Sequence, residues 1–135
     1  MAGMTVTELL QLTHDLHDAL IRRVVIEGTT TVQVATVRVT ISLDAEIRGS
    51  GEWRKYELAF HNCSMHRFAE PPGCYSGLVL EACCIIHGNQ IAFSLDPRFT
   101  RERSDEYKLS DFTEGNYSVV AERAEVRDLG PWVVE

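Results

Sequence analysis

The sequence predicts an α+β domain that is mainly β, with one N-terminal helix and a meander sheet of five to seven antiparallel strands. Residues 37–43 alternate apolar and polar side chains, with the apolar ones at every odd position, which is typical of a strand with one buried face. Short glycine-containing turns separate further extended segments, which predicts hairpins. The sheet is expected to be open with the helix on one face, or curled into a barrel or small sandwich.

The N-terminal helix is predicted over residues 6–20. Thr5 or Thr7 can cap it, and Glu8 falls in the first turn, where a carboxylate is favourable. Four leucines share one face of this helix, at positions 9, 12, 16 and 20. That face is expected to cover the sheet.

The first two strands are predicted at residues 21–27 and 31–47, because β-branched side chains are concentrated there. Residues 28–30 should form the turn between them. The apolar phase changes near Ala35, which predicts a bulge or a bend at that position.

The later part of the chain contains two further hairpin signals. Residues 49–51 carry two glycines, and Gly88-Asn89 is a two-residue turn signal. Residues 63–77 are predicted to be loop, and residues 98–116 are polar with a short strand at 106–109. The remaining strands are predicted at residues 52–62, 78–87, 90–95 and 117–126.

The length and composition are those of one globular domain over residues 1–135, with 44% hydrophobic and 24% charged residues. No apolar stretch approaches the roughly 18 residues of a membrane span, and the first residues do not resemble a signal peptide. We therefore expect a cytoplasmic protein without a membrane partner. The four cysteines form no CxxC pair and are expected to be small buried side chains, a disulfide framework being the alternative.

The net charge of −7 disfavours a nucleic-acid partner, because an acidic surface repels phosphate. It favours solubility and can steer a basic partner. The sequence contains no Walker A, GxGxxG or HExxH motif, and no carboxylate pair stands out.

The first candidate metal site is the doubled His-Asp sequence of residues 14–18. His14 and His17 are three positions apart on the predicted helix, and Asp18 follows one turn after His14. Imidazole and carboxylate suit zinc, iron or manganese. The alternative is a solvated His14–Asp18 pair with His17 at the rim of the core.

The second candidate metal site combines His61, Cys63 and His66 with Cys74 in the following loop. His61 and Cys63 would share a face if that strand is extended, which would make a Cys2His2 set for zinc. The spacing matches no established zinc module. Cys74 could also pair with a histidine as a nucleophile, although the sequence shows no activating motif.

Three aromatic side chains are candidates for an interface, where Trp and Tyr are enriched: Trp53, Tyr75 and Trp132. Core packing at the ends of the sheet is the alternative.

Residues 16–28 place the His17-Asp18 pair directly before a predicted strand, and residues 57–63 form a strand that ends in Phe60 and a polar turn. Both features resemble small bacterial YxiG-like domains, over the first half of the chain. The resemblance implies a relation to immunity proteins of bacterial toxin systems, with which some similar domains are grouped. It also implies that His17-Asp18 is a structural turn and adds no catalytic residue.

These observations predict a protein that binds another protein and needs no cofactor. The reasons are its acidic surface and the aromatic side chains that are expected to be exposed. A homodimer through a strand edge or Trp132 would also fit. The alternatives are a small metal-dependent enzyme that uses one of the two candidate metal sites, and a sheet that holds a small apolar ligand.

Overall fold

The computed structural model of this protein describes residues 4–30, 35–68, 82–95 and 117–131. These residues form a single open antiparallel sheet of six strands and one helix, which confirms the predicted α+β, mainly β, class without closure into a barrel. The elements are α1 (Val6–Leu12), β1 (Leu20–Thr30), β2 (Ala35–Glu46), β3 (Trp53–Phe68), β4 (Cys83–His87), β5 (Gln90–Ser94) and β6 (Tyr117–Pro131).

The strand order is β1-β2-β3-β6-β5-β4, so the sheet consists of two three-stranded meanders joined along β3 and β6. These are the two longest of the described strands, and they pair from Arg54 with Pro131 to Phe68 with Tyr117. This long central pairing places β1 at one edge of the described sheet and β4 at the other.

Several strand boundaries differ from the predicted ones. Residues 63–68, predicted to be the first part of a loop at residues 63–77, belong instead to β3 and pair with β6. The turn predicted at residues 28–30 is instead the end of β1, which pairs as far as Thr30 with Ala35. The ladder between β1 and β2 changes register between Ile21 and Arg23, whereas the bulge or bend predicted near Ala35 falls at the start of β2, next to residues outside the described part of the chain. Residues 31–34, 69–81 and 96–116 lie outside the described part of the chain.

The helix is shorter than predicted, and its end has a local cause. Thr5 caps it through a capping box with Glu8, but the Thr13 hydroxyl donates a hydrogen bond to the Leu9 carbonyl oxygen over 2.7 Å. The same hydroxyl accepts a hydrogen bond from the Leu16 backbone N–H. A side chain that competes for backbone groups in this way favours a turn over further helix.

Residues 13–18 form a turn that contains an unusual run of left-handed backbone. His14, Asp15 and Leu16 have φ of 55°, 58° and 57°, a conformation that costs energy for side chains other than glycine. The turn nevertheless brings Leu16 into the core, where it is fully buried. The burial of this side chain offsets the backbone strain.

The helix segment ties the two ends of the sheet together across its apolar face. The Leu12 carbonyl oxygen accepts a hydrogen bond from the Arg48 N–H, and the Asp15 carbonyl oxygen accepts one from the Ala82 N–H. The core beneath contains Phe60 and Phe93, whose ring centroids are 5.3 Å apart. No helix in the described ranges has the length and apolar content needed to cross a bilayer.

Candidate functional site

The face of the sheet opposite the main core is mostly polar from β1 to the half of β3 and β6 that lies beside β2, and we call this part the charged face; farther along, Met65 of β3 and Val120 of β6 belong to a small apolar cluster. By strand register the charged face presents Arg23, Glu27, Arg38, Lys55, Glu57, Arg123, Glu125 and Arg127. Its ion pairs are mostly loose and exposed, such as Arg127 Nη1 to Glu57 Oε1 at 3.4 Å. Such pairs contribute little to stability, so these charges are available for contacts with another molecule.

A recess interrupts the charged face where β2 and β3 separate. The pairing of β2 with β3 ends at Val39 and Phe60, although β2 begins earlier, at Ala35, and β3 continues to Phe68 along β6. The resulting fork cleft has a volume of about 200 Å³. It is lined by Glu27, Thr36, Val37, Arg38, His61, Asn62 and Arg123.

A bend in β3 positions the cleft. Asn62 has a left-handed φ of 54°, and both Phe60 and Cys63 pack against the core although they are three positions apart. In a regular strand such a spacing would place them on opposite faces. The opposing residues Glu122 and Arg123 of β6 are both exposed. Asn62, Glu122 and Arg123 are therefore exposed to solvent at the bend, with the partly buried His61 beside them.

The His61 side chain is only 19% exposed in the fork cleft. Its Nε2 lies 3.4 Å from Glu125 Oε1, but this nitrogen is buried and makes no hydrogen bond. Burial lowers the pKa of His61, and the positive charges of Arg123 and Arg38 lower it further, against the opposing effect of Glu125. His61 is thus neutral near pH 7.

Arg38 and Arg123 supply the positive charge of the fork cleft. Arg38 is exposed and makes no ion pair with any of the described residues. Arg123 is 65% exposed, and its one ion pair with a described residue is the 3.6 Å contact from Nε to Glu125. Guanidinium groups bind carboxylate and phosphate through paired hydrogen bonds. The volume is below the 300–1,000 Å³ typical of drug-sized ligand sites, which suits one acidic group.

A second recess of about 310 Å³ lies on the charged face at the other end of β2. Its lining includes Asp44, which is buried and accepts a hydrogen bond from Arg22 Nε over 2.6 Å. Burial of the nearby Tyr56 raises the pKa of its hydroxyl, and this hydroxyl makes no hydrogen bond. Because the Asp44 carboxylate is already paired with Arg22, this recess is a weaker candidate for a binding site than the fork cleft.

The three residues of the first candidate metal site lie in one turn, where His17 contacts both His14 and Asp18. His14, His17 and Asp18 lie in the turn after α1 instead of on a helix, because the helix ends at Leu12. His14 and His17 are in edge-to-face contact with ring centroids 6.1 Å apart. His17 Nε2 lies 3.5 Å from Asp18 Oδ2, and both side chains are more than half exposed.

Two members of the second candidate metal site, His61 and Cys63, lie in different environments. His61 lies on the charged face, whereas Cys63 packs against the core and donates a hydrogen bond to the Phe60 carbonyl oxygen. Burial raises the pKa of the Cys63 thiol more than a backbone hydrogen bond from Val39 lowers it, which disfavours the thiolate that binds metal. His66 is exposed. No group of three or more potential metal ligands occurs in the described ranges.

Among the predicted interface aromatics, Trp53 is half-buried at the start of β3, opposite Glu46. Tyr75, Trp132 and the predicted ligand Cys74 lie outside the described residues. Sequence reasoning missed Arg38 and Arg123, because they come from distant strands and only the polar phase of each strand marks them as exposed.

Comparison of the chain with protein-family models, curated proteins and solved structures finds no match.

Proposed function

We propose that this protein is a binding module that receives an acidic segment of a partner protein on its charged face, with one acidic side chain in the fork cleft. The observation that supports this proposal is the pair of arginines, Arg38 and Arg123, that line a recess of about 200 Å³ from two different strands. A recess of this size suits a side chain better than a cofactor or a drug-sized molecule.

The net charge of −7 opposes an acidic segment at long range, but exposed charges beyond about 8 Å are largely screened at physiological ionic strength. The local charges of the cleft then determine which group binds. Neutral His61 adds a polar surface without adding charge, and the exposed Asn62 adds a side-chain amide with hydrogen-bonding groups. Binding requires no catalytic group, and a toxin would be the class of partner that the immunity-type resemblance implies.

A comparative pull-down from the lysate of the native host tests the proposal. The baits are the wild-type protein, the double variant Arg38→Ala/Arg123→Ala, and the control Arg48→Ala/Arg67→Ala, which removes two exposed arginines away from the cleft. We expect a stoichiometric partner that elutes at moderate salt from the wild type and the control but is lost from the cleft variant.

Two results would contradict the proposal. Equal recovery of the partner by the cleft variant would show that the cleft is not the contact. If the wild type recovers no partner, the proposal that this protein binds another protein would itself be contradicted. Circular dichroism of all three baits shows whether each variant is folded.

A further inference from the structure

The outer edge of β1 is the longest unpaired strand edge among the described residues. β1 spans Leu20–Thr30, and its only partner in the described sheet is β2. From Arg23 to Thr30 the ladder with β2 is regular, without a bulge. A regular edge strand presents a row of free N–H and C=O groups that can pair with another strand.

The side chains of β1 are also exposed along this edge. Ile26 is 47% exposed, because the seven-residue α1 does not cover the outer end of the β1–β2 hairpin. Val24 and Val25 are half-buried. Arg23 and Glu27 lie on the charged face and are exposed. Neither makes an ion pair with a described residue.

The sequence of β1 is complementary to itself in one antiparallel register. In a twofold antiparallel pair, two opposing residues must lie on the same face, so the axis passes through a residue. An axis at Val25 places Arg23 opposite Glu27 twice and Val24 opposite Ile26 twice. An axis at Arg23 or at Glu27 places that charged residue opposite its own copy, so that like charges face each other. An axis at Val24 or at Ile26 places both Arg23 and Glu27 opposite uncharged residues.

We propose that two copies of this chain associate through their β1 edges, antiparallel, with the twofold axis at Val25. The interface is isologous, as in most homodimers, and it joins two six-stranded sheets into one. Opposite charges directly across such a pair stabilise it, as do paired β-branched side chains. A second copy is the occupant because the charge pattern of the strand matches the strand itself.

The dimer would also change the fork cleft, because Glu27 lines that cleft. Arg23 of the second copy would lie opposite Glu27 and neutralise the carboxylate at the rim. The cleft would then be more favourable for an acidic group. The dimer does not depend on the function proposed above, since it rests on the edge of β1 alone.

Sedimentation equilibrium over a range of protein concentrations tests the association. We expect a monomer–dimer equilibrium for the wild type, weakened about tenfold in Kd by Arg23→Glu or by Glu27→Arg, because each opposes like charges twice. The double variant Arg23→Glu/Glu27→Arg exchanges the two charges and should restore dimerisation. A wild-type monomer at all concentrations, or a dimer that no charge variant weakens, would overturn the proposal.

Cysteine crosslinking tests the register. Directly opposed residues in an antiparallel pair have Cα atoms about 4.5–5.5 Å apart, within the range of a disulfide. Val25→Cys should therefore form a covalent dimer under mild oxidation, whereas Ile26→Cys, which faces Val24 of the second copy, should form much less. The wild type, with its native cysteines, gives the background. Equal crosslinking of the two variants would exclude the axis at Val25.

Discussion

Asn62 donates a hydrogen bond from Nδ2 to Glu122 Oε2 over 3.1 Å, at the point where β3 and β6 both change the face that they bury. The left-handed φ of Asn62 allows Phe60 and Cys63 to contact the same core. This single backbone conformation therefore determines both the course of the sheet and the opening of the fork cleft.

Substitution of Asn62 by valine should destabilise the protein by about 1–3 kcal/mol, because a β-branched side chain is strained at positive φ. Asn62→Gly should be much milder, since glycine adopts this conformation freely and only the exposed hydrogen bond to Glu122 is lost. Urea unfolding of the two variants measures the difference. Equal stability of the two would show that the bend does not need a left-handed residue.

The left-handed turn after α1 gives a second prediction. His14 has a φ of 55° and His17 has no positive φ, while their rings contact each other. Glycine at either position removes that ring contact, but only His14→Gly also removes the strain of a side chain in the left-handed conformation. We expect His14→Gly to be more stable than His17→Gly by about 1 kcal/mol, measured by thermal unfolding. The reverse order would contradict the strain argument.

The strands could be predicted from the sequence where side-chain alternation is uninterrupted. Val39, Ile41 and Leu43 are all fully or almost fully buried, as the period of two predicts. The same reasoning failed at Asn62, because alternation carries no information about a bend at which the phase changes. The helix was predicted too long, because the spacing of the leucines does not report that Thr13 binds the Leu9 carbonyl oxygen.

The candidate site could not be predicted from local patterns. Arg38 and Arg123 are brought together by the pairing of β3 with β6 and by the early end of the β2–β3 ladder. Neither feature has a sequence motif. His61 was predicted as a metal ligand with Cys63, but the bend at Asn62 separates their environments.

The end of β6 gives a third prediction, concerning acid stability. Asp128 accepts hydrogen bonds from Arg54 Nε and from the Gly130 N–H. Burial alone would raise the pKa of Asp128, but these two donors outweigh it and lower the pKa. The stabilisation that the ionised Asp128 contributes is therefore complete above the pKa of the unfolded state, about 3.9, and is lost as the pH falls through the lower pKa of the folded state.

Asp128→Asn should thus be less stable than the wild type near pH 6, and the difference should shrink as the pH falls below about 4. Urea unfolding between these pH values measures it. In the background of Arg54→Gln, the effect of Asp128→Asn should be smaller, because the main donor to the carboxylate is gone. An Asp128→Asn effect that does not vary with pH would contradict this role.

The fork cleft gives a fourth prediction, concerning the titration of His61. Burial, Arg123 and Arg38 lower the pKa of this imidazole, while Glu125 opposes them. The unfolded chain, with a histidine pKa of about 6.5, therefore takes up the proton first as the pH falls. The contribution of neutral His61 to stability is complete above about 6.5 and is lost as the pH falls through that value toward the folded pKa.

An NMR titration of the imidazole C–H resonances measures this pKa directly. We expect a midpoint below 6.5 for His61 in the wild type and a higher midpoint in Arg123→Gln, because one of the two nearby positive charges is removed. His61→Gln identifies the resonance, and His66→Gln, an exposed position on the same strand, controls for the loss of an imidazole. A midpoint that Arg123→Gln leaves unchanged would show that Arg123 does not act on His61 and would weaken the case for a positively charged cleft.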